Sequence, residues 1–472
     1  MSKYEVNEMY DAHAEGELHL PSLLTHLGER SLYDAVSQCS RCGYCETVCP
    51  TYMLTGREPI SARGRNQLVR MTMEGKARGA ASESLDTCLL CGACSEACFA
   101  KVPTADIVLE GRRAALGPAP RLIPVLLSRL MLDRPGLFGF LLKLGALARR
   151  TGLPRLAGKL GFFRMLGLGP LEKAELEAPS MPLTFLSEKL AADPELSAGT
   201  DDEPRAWAYF APCGPNYLFT GVGEATVALL KRFLGRGVFF HNSCCGLLAY
   251  NYGDIRHARD FARRNIEKYE ALRERLGGVK IVGDCSSCTA FMKTYEQLFT
   301  AEPEWRPRAA AFAAAVRDAI EAIPPSAMTH APKETLAEAG RITYHDSCRA
   351  CHGQGIRTEP REALKTLAGK RFTELPESDW CCGGAGAYSF TQPEMSDKIL
   401  RRKTANIASV RADTVAVGAT SCLLQINAGL KRDYPSARAV HYTQLVEKLT
   451  RPVAELRAPT AGNAALIRPP AK

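Results

Sequence analysis

No stretch of the 472 residues approaches the roughly 18 consecutive apolar positions needed to cross a bilayer. The longest apolar runs, such as Leu137–Leu142, are soon interrupted, here by Lys143. The start, MSKYEVNEMYDAHAEGE, is polar and acidic with no apolar h-region, so a cytoplasmic location is expected. No Gly-x-Gly-x-x-Gly follows a predicted strand, and there is no P-loop and no Gly-x-Ser-x-Gly. The nearest approach, Gly221-Val222-Gly223, lacks the third glycine and reads as a helix start. No flavin, nicotinamide or nucleotide site is therefore evident. The nine histidines form no pair at metal-ligand spacing. Nor is the charge of +9 spread evenly: Arg121–Lys173 holds ten Lys/Arg against two acidic residues. The remainder is close to neutral, which argues against a nucleic-acid surface.

Cysteine is what the chain has in abundance. Its 18 cysteines fall in tight groups at 39–49, 88–98, 213, 244–245, 285–288, 348–351, 381–382 and 422. In a reducing compartment such grouping indicates metal or redox chemistry rather than disulfides.

Two groups repeat one pattern. The first is Cys39-x2-Cys42-x2-Cys45-x3-Cys49-Pro50 and the second is Cys88-x2-Cys91-x2-Cys94-x3-Cys98. Three thiolates at this spacing wrap three irons of a [4Fe–4S] cubane, and the fourth cysteine ligates the cluster of the other run. Cys39, Cys42, Cys45 and Cys98 are thus expected to hold one cluster, and Cys88, Cys91, Cys94 and Cys49 the other. Zinc also uses Cys-x2-Cys pairs but has no need of a triplet plus a fourth cysteine, twice. Phe99 stands where proline is usual, which removes no ligand. The 38 residues between the runs include the helix-permissive Arg65–Lys76, so the module is expected to be α-helical. Arg63, Arg65 and Arg70 either offset cluster charge or form a solvated basic face.

The C-terminal half is internally duplicated. One copy carries Cys213, Cys244-Cys245-Gly246 and Cys285-x2-Cys288; the other carries Cys348, Cys381-Cys382-Gly383 and Cys422. Forty positions separate Cys245 from Cys285 and also Cys382 from Cys422, which pairs Cys422 with Cys285 and leaves Gln425 in the place of Cys288. Cys351 is an additional thiol. AWAYFA, GVFF, KIVG, RITYH, KRFTEL and TVAVG read as short buried strands. Ala258, Ala262, Ile266, Tyr269, Leu272 and Leu276 make one apolar helix face. The cysteines follow strand ends, where open α/β sheets bind ligands, and Gly246 and Gly383–Gly384 allow close backbone approach to a bulky group. Five converging thiolates suit a metal cluster, and the adjacent pair Cys244-Cys245 suggests an open or unusual one. A structural zinc site or buried thiols are the alternatives, more so in the second copy. His345 and His352 flank Cys348, either tuning a cluster or making local contacts.

The fold class expected is α+β multidomain, an α-helical ferredoxin module followed by a duplicated α/β cysteine-rich domain. The boundaries are an N-terminal extension (1–30), the ferredoxin domain (31–117), a basic amphipathic linker (118–204), the first repeat (205–300), an inter-repeat helix and linker (301–340), the second repeat (341–450) and a flexible tail (451–472). The linker alternates apolar runs with Arg and Lys and is cut by Pro124, Pro135 and Pro154. It reads either as a membrane-surface or partner-docking element or as a layer on the protein's own core.

CSRCGYCETVCPTYMLTGRE with SARGR, the second run, WCCGGAGAYSFTQPEMSDKIL and TSCLLQINAGL resemble the iron–sulfur subunits of glycolate oxidase, lactate-utilisation and anaerobic glycerol-3-phosphate dehydrogenase systems. The doublets also resemble the CCG domain of heterodisulfide reductase. The resemblance implies that Cys213, Cys244, Cys245, Cys285 and Cys288 hold a non-cubane [4Fe–4S] cluster; in the second copy Cys348, Cys381, Cys382 and Cys422 match. It implies an electron-transfer subunit fed by an FAD-containing dehydrogenase subunit oxidising a 2-hydroxy acid, with quinone or another acceptor downstream; the linker's own basic amphipathic pattern adds an expected contact with the inner membrane face through 121–173. The alternative is a catalytic subunit reducing a disulfide at the non-cubane cluster.

Overall fold

A computed structural model describes residues 20–77, 80–116, 122–161, 180–197 and 204–452, with Met165 and Glu175 besides. The expected tail from 453 onward, the first 19 residues and parts of the linker lie outside the described residues.

The ferredoxin module is helical, as its sequence implies. Pro50 opens the helix Pro50–Thr55, where its missing N–H costs nothing, and Gly56 closes it at φ 62°. The helix expected from Arg65 begins three residues earlier, at Ala62–Met73, because the Ser61 hydroxyl caps it by accepting from the Gly64 N–H at 2.9 Å. Its Val69 packs with Ala35, Val36, Leu85, Ile107 and Val108 in the module's interior. Upstream, β1 (Leu23–Thr25) and β2 (Gly28–Arg30) form an antiparallel hairpin. Leu24 N–H donates to Gln297 Oε1 at 2.6 Å and Gln297 Nε2 to Ser22 O at 2.8 Å, tying the hairpin to the first repeat.

The first repeat is a parallel sheet, order β4-β3-β5-β6, built from β3 (Trp207–Phe210), β4 (Gly237–Phe239), β5 (Lys280–Gly283) and β6 (Val316–Asp318). The helix Ile255–Leu276 buries Ala258, Ala262, Ile266, Tyr269 and Leu272 along the predicted face. The second repeat has β7 (Ile342–His345), β8 (Thr414–Val417) and β9 (Arg438–His441), all parallel. KRFTEL is not a strand: only Phe372 bridges, to Ile342. Its Lys370-Arg371 start is charged and lies at a sheet edge, where the chain forms a 3-10 turn at Gly369–Arg371 instead of pairing. β6 and β9, which sequence patterning did not reveal, complete the two sheets.

The repeats meet at their strand ends. Ser286 N–H donates to Gly418 O at 3.0 Å, Ser286 Oγ to the same oxygen at 2.9 Å, and Thr226 Oγ1 to Thr443 Oγ1 at 2.9 Å. Both cysteine sets are therefore near the seam between the sheets. Among the described residues no helix is long and apolar enough to cross a membrane.

Candidate metal centres

The two ferredoxin runs share one backbone. Arg41 and Leu90 have positive φ (61° and 56°), and so do Gly43 and Gly92 two residues on (88° and 86°). Left-handed residues at matched places curl each loop so that backbone N–H groups turn toward the thiols, the arrangement an anionic cluster requires. Cys49 is the N-cap of Pro50–Thr55, and Cys98 ends the helix Ala93–Ala97. The Cys94 thiol faces Cys88, Cys49 and Cys45, which brings Cys49 into the second run's set. Burial pushes Cys94 and Cys91 well up and Cys45 to about 11, with neighbouring thiols adding to the rise. Such buried, mutually repelling sulfurs suit a bound cation, which deprotonates its thiol ligands. A [4Fe–4S] pair fits these residues.

Of the three arginines singled out, Arg65 is the one built into the site. It is buried, donates to Thr51 and Thr87 hydroxyls at 2.9 Å and to Ser84 O at 3.0 Å, and points Nη1 at Cys49 Sγ, 3.8 Å away. Arg63 lies at the rim, pairing with Glu58 at 2.7 Å and Glu46 at 2.6 Å. Arg70 turns away to Glu74 and Tyr33. Exposed Phe99 lies edge-on to Tyr44, 5.0 Å between centroids, and touches no ligand position.

In the first repeat all five cysteines converge. Hydrogen bonds link their sulfurs in the order Cys213, Cys244, Cys245, Cys288, Cys285. Both members of the adjacent pair therefore face one site. Contact with Cys244 and Cys288 holds Cys245 down at about 6, and contact with Cys288, whose one S–H is shared between the two, holds Cys285 at about 7; Cys213 and Cys288 move up in exchange. Cys213 begins the helix Cys213–Tyr217 and Cys285 caps Ser286–Met292, so both sit at helix N-terminal ends. The set is buried at Cys245, Cys285 and Cys288 and exposed at Cys213. Gly246 (φ 85°) does not face it: a Cβ there would meet Phe261 and the Ala258 carbonyl, and one at Gly383 (φ 82°) would lie 2.7 Å from Ser396 O. The bulky neighbour is the following helix. A Cβ at Gly384 would meet Ser421 O at 3.1 Å, Gln425 Cβ at 3.3 Å and Cys382 Sγ at 3.4 Å, so of these three glycines it is the one that borders a thiol.

In the second repeat the sulfurs of Cys348, Cys381, Cys382 and Cys422 are linked in that order. Strand register corrects the sequence pairing. Phe210 lies opposite Gly283 in the first sheet and His345 opposite Val417 in the second. Cys285 therefore corresponds to Ala419, each being the N-cap of the next helix, and Cys288 corresponds to Cys422, each in that helix's first turn. The count of 40 coincides because Lys280 follows Cys245 by 35 positions whereas Thr414 follows Cys382 by 32. Gln425 is one turn further along and donates to Ser396 Oγ at 2.9 Å. Cys351 is buried, its sulfur directed at Cys348 O, 3.8 Å away, outside the linked set. His352 pairs with Glu96 of the ferredoxin module, a structural contact.

The ferredoxin module is seated on this second repeat. Cys91 and Cys348 border an apolar cluster of Leu89, Trp380, Cys381, Tyr388 and Ile399, and Cys91 faces Cys348 closely enough to perturb it. Arg357 donates to Glu96 at 2.6 Å and Tyr388 OH to Thr87 O at 2.8 Å across the same boundary.

Comparison with known proteins agrees with this layout. A 4Fe-4S dicluster domain matches residues 35–102, and a cysteine-rich domain, CCG, matches twice, at 207–293 and 342–427. A probable glycolate oxidase iron-sulfur subunit of Bacillus subtilis (strain 168) is 28% identical over 444 residues, 91% of this chain and 97% of that protein. The glycolate oxidase iron-sulfur subunit of Escherichia coli (strain K12) is 27% identical over 397 residues, 81% of this chain and 88% of that one. Lactate utilization protein A of Exiguobacterium sp. (strain ATCC BAA-1283 / AT1b) is 30% identical over 243 residues, 51% of this chain and 96% of that protein.

Proposed function

We propose, on the premise that the chain belongs to the iron–sulfur subunit family of glycolate oxidases and lactate utilization A proteins, that it carries electrons from an FAD-containing partner oxidising a 2-hydroxy acid to an acceptor such as quinone. The observation that carries this reading is Cys94 facing Cys88 and Cys49 of its own set and Cys45 of the other, which joins two [4Fe–4S] ligand sets in one buried body. Bound there, the clusters supply one-electron transfer. The protein's residues hold them, dehydrate them and bring Arg65 to one of them. The first repeat, with five thiols and its open end at Cys213, supports a non-cubane cluster as the station from which electrons leave.

The linker supports delivery at a membrane surface. Its helices Leu122–Asp133, Pro135–Arg150 and Leu153–Lys159 bury Val125, Leu132, Phe138 and Ala146 but expose Leu126, Leu137, Phe140, Leu141, Leu144, Leu147, Leu153 and Leu156. Apolar exposure beside a basic surplus suits an anionic bilayer face. The alternative, direct disulfide reduction at the first repeat, is favoured by exposed Cys213.

The test is anaerobic purification with the flavoprotein partner, followed by EPR after adding glycolate or lactate. Reduced cluster signals dependent on the partner are expected. Loss of the reduced signals on adding a disulfide in the absence of the partner would favour the alternative, and an iron-free preparation would remove both. Sedimentation with anionic vesicles should decrease at least severalfold in Phe140→Glu/Leu144→Glu, and unchanged sedimentation rejects the membrane role.

A further inference from the structure

The second repeat has lost the donor at Ala419, and the structure shows what stands across the site from it. His345, at the end of β7, occupies the place of Phe210 in the first repeat. Its Nδ1 lies 3.2 Å from Ser378 O, so that nitrogen carries the proton and donates. Its Nε2 is then a bare acceptor, fully buried and without a hydrogen-bond partner. A ring nitrogen of His345 and the sulfurs of Cys382 and Cys422 all lie within 4.8 Å of one another. A buried imidazole lone pair aimed at two thiols is costly to leave unsatisfied and is the usual form of a metal-binding histidine.

We propose that the second repeat holds a single tetrahedral zinc-class ion, ligated by His345 Nε2 and the thiolates of Cys381, Cys382 and Cys422. Cys381 supplies the fourth donor because its sulfur is already in contact with that of Cys382. Zinc takes mixed sulfur and nitrogen ligands at about 2.3 and 2.0–2.1 Å, so His345, Cys382 and Cys422 would draw inward and Cys381 would join them from its contact with Cys382. Charge agrees. Three thiolates and one divalent ion leave one negative charge. Buried Lys403, whose ammonium faces Cys382 and Cys381, supplies one positive charge. In the first repeat that place on the helix belongs to neutral Asn265, seven residues beyond Ala258 as Lys403 is seven beyond Ser396, the residues against which Gly246 and Gly383 pack.

The surrounding residues hold the imidazole in its binding tautomer. Ser378 O, which receives the Nδ1 proton, also accepts from Lys403 Nζ at 3.1 Å, and Ser378 Oγ accepts from Arg361 at 3.0 Å. Arg361 is in turn paired with buried Asp346 at 2.6 Å. Carbonyl, lysine, arginine and aspartate thus fix the ring from behind, as outer partners do in metal sites. The ion is redox-silent and braces the Trp380–Cys381 wall on which the second ferredoxin run sits; the electron route proposed above does not depend on it.

The test uses the full chain purified anaerobically without chelators, with zinc and iron measured by elemental analysis and the zinc environment by X-ray absorption. About one zinc per chain with a three-sulfur, one-nitrogen shell is expected. His345→Phe, which installs the first repeat's residue, should lower bound zinc at least about tenfold while iron content is unchanged. An all-sulfur shell, an iron-only preparation, or zinc retained in the variant would overturn the proposal. Should His345→Phe fail to accumulate, the wild-type ligand shell decides alone.

Discussion

The two cysteine-rich repeats share a frame and differ in what they place on it. At the end of each repeat's first strand, Phe210-Ala211 in the first repeat becomes His345-Asp346 in the second. At the cap of the next helix, Cys285 becomes Ala419, and on the long helix Asn265 becomes Lys403. One repeat gathers five thiols amid apolar and neutral groups; the other gathers fewer thiols inside a shell of charged and hydrogen-bonding groups. Duplication preserves the geometry of strand ends. The ligand set can then diverge while the sheets that present it remain superposable in register.

The largest expected effect separates the repeats by iron content. Cys245→Ser should lower iron from about twelve to about eight per chain, whereas Cys382→Ser should leave iron unchanged. Equal losses in both variants would erase the distinction drawn here. Iron quantification with EPR of the residual ferredoxin signals reads it.

Next comes the charged shell. Asp346 is buried against Arg361, two hydrogen bonds of 2.6 and 3.0 Å, while its counterpart is Ala211. Burial raises its carboxyl, but the Arg361 bonds outweigh this and hold it below the ordinary value. Asp346→Asn should cost about 1.5–3 kcal/mol, because charge-assisted bonds to a buried carboxylate are lost while Arg361 keeps Glu374 at 3.1 Å. A carboxyl lowered in the folded state stabilises fully above its unfolded pKa near 4, and this stability is lost as pH falls through the lower folded value. Wild type should therefore converge on the variant in acid denaturation profiles, and a gap that persists at low pH would rule out the ion pair.

The smallest effect concerns the two long helices. Asp254 caps Ile255–Leu276, accepting from His257 N–H at 3.3 Å, and pairs with linker Arg129 at 2.9 Å. Pro393–Ser409 begins at Gln392 with no side-chain cap. Asp254→Ala should cost about 1 kcal/mol in chemical denaturation and Gln392→Ala close to none.

Much of this was legible from the chain. The ferredoxin ligands are local in sequence because a cubane is wrapped by a short loop, and five of the strands were visible because buried parallel strands are short and apolar. β6 was missed, being a three-residue edge strand that includes Arg317 and Asp318, and β9 because it begins at Arg438 and ends at His441. The pairing of Cys422 with Cys285 failed for a specific reason: a three-residue difference between the repeats cancelled the three-residue spacing of Cys285 and Cys288.

The linker shows the same division. Its alternation of apolar runs and basic residues left a core layer and a surface layer equally consistent. The structure shows both faces, Val125, Leu132, Phe138 and Ala146 buried and Phe140, Leu144 and Leu153 exposed at 63%, 52% and 67%, since only packing against a neighbour determines which side of an apolar helix is covered.

What the sequence by itself determined is the presence of two cluster-binding runs and a duplicated thiol signature, since those ligands are set by spacing along a loop. Only the tertiary structure decided which residues share each downstream site. His345, Cys382 and Cys422 come from segments far apart in the chain, and parallel pairing of β7 with β8 brings their donor atoms together. Parallel register is a relation between segments, and no count along one segment contains it.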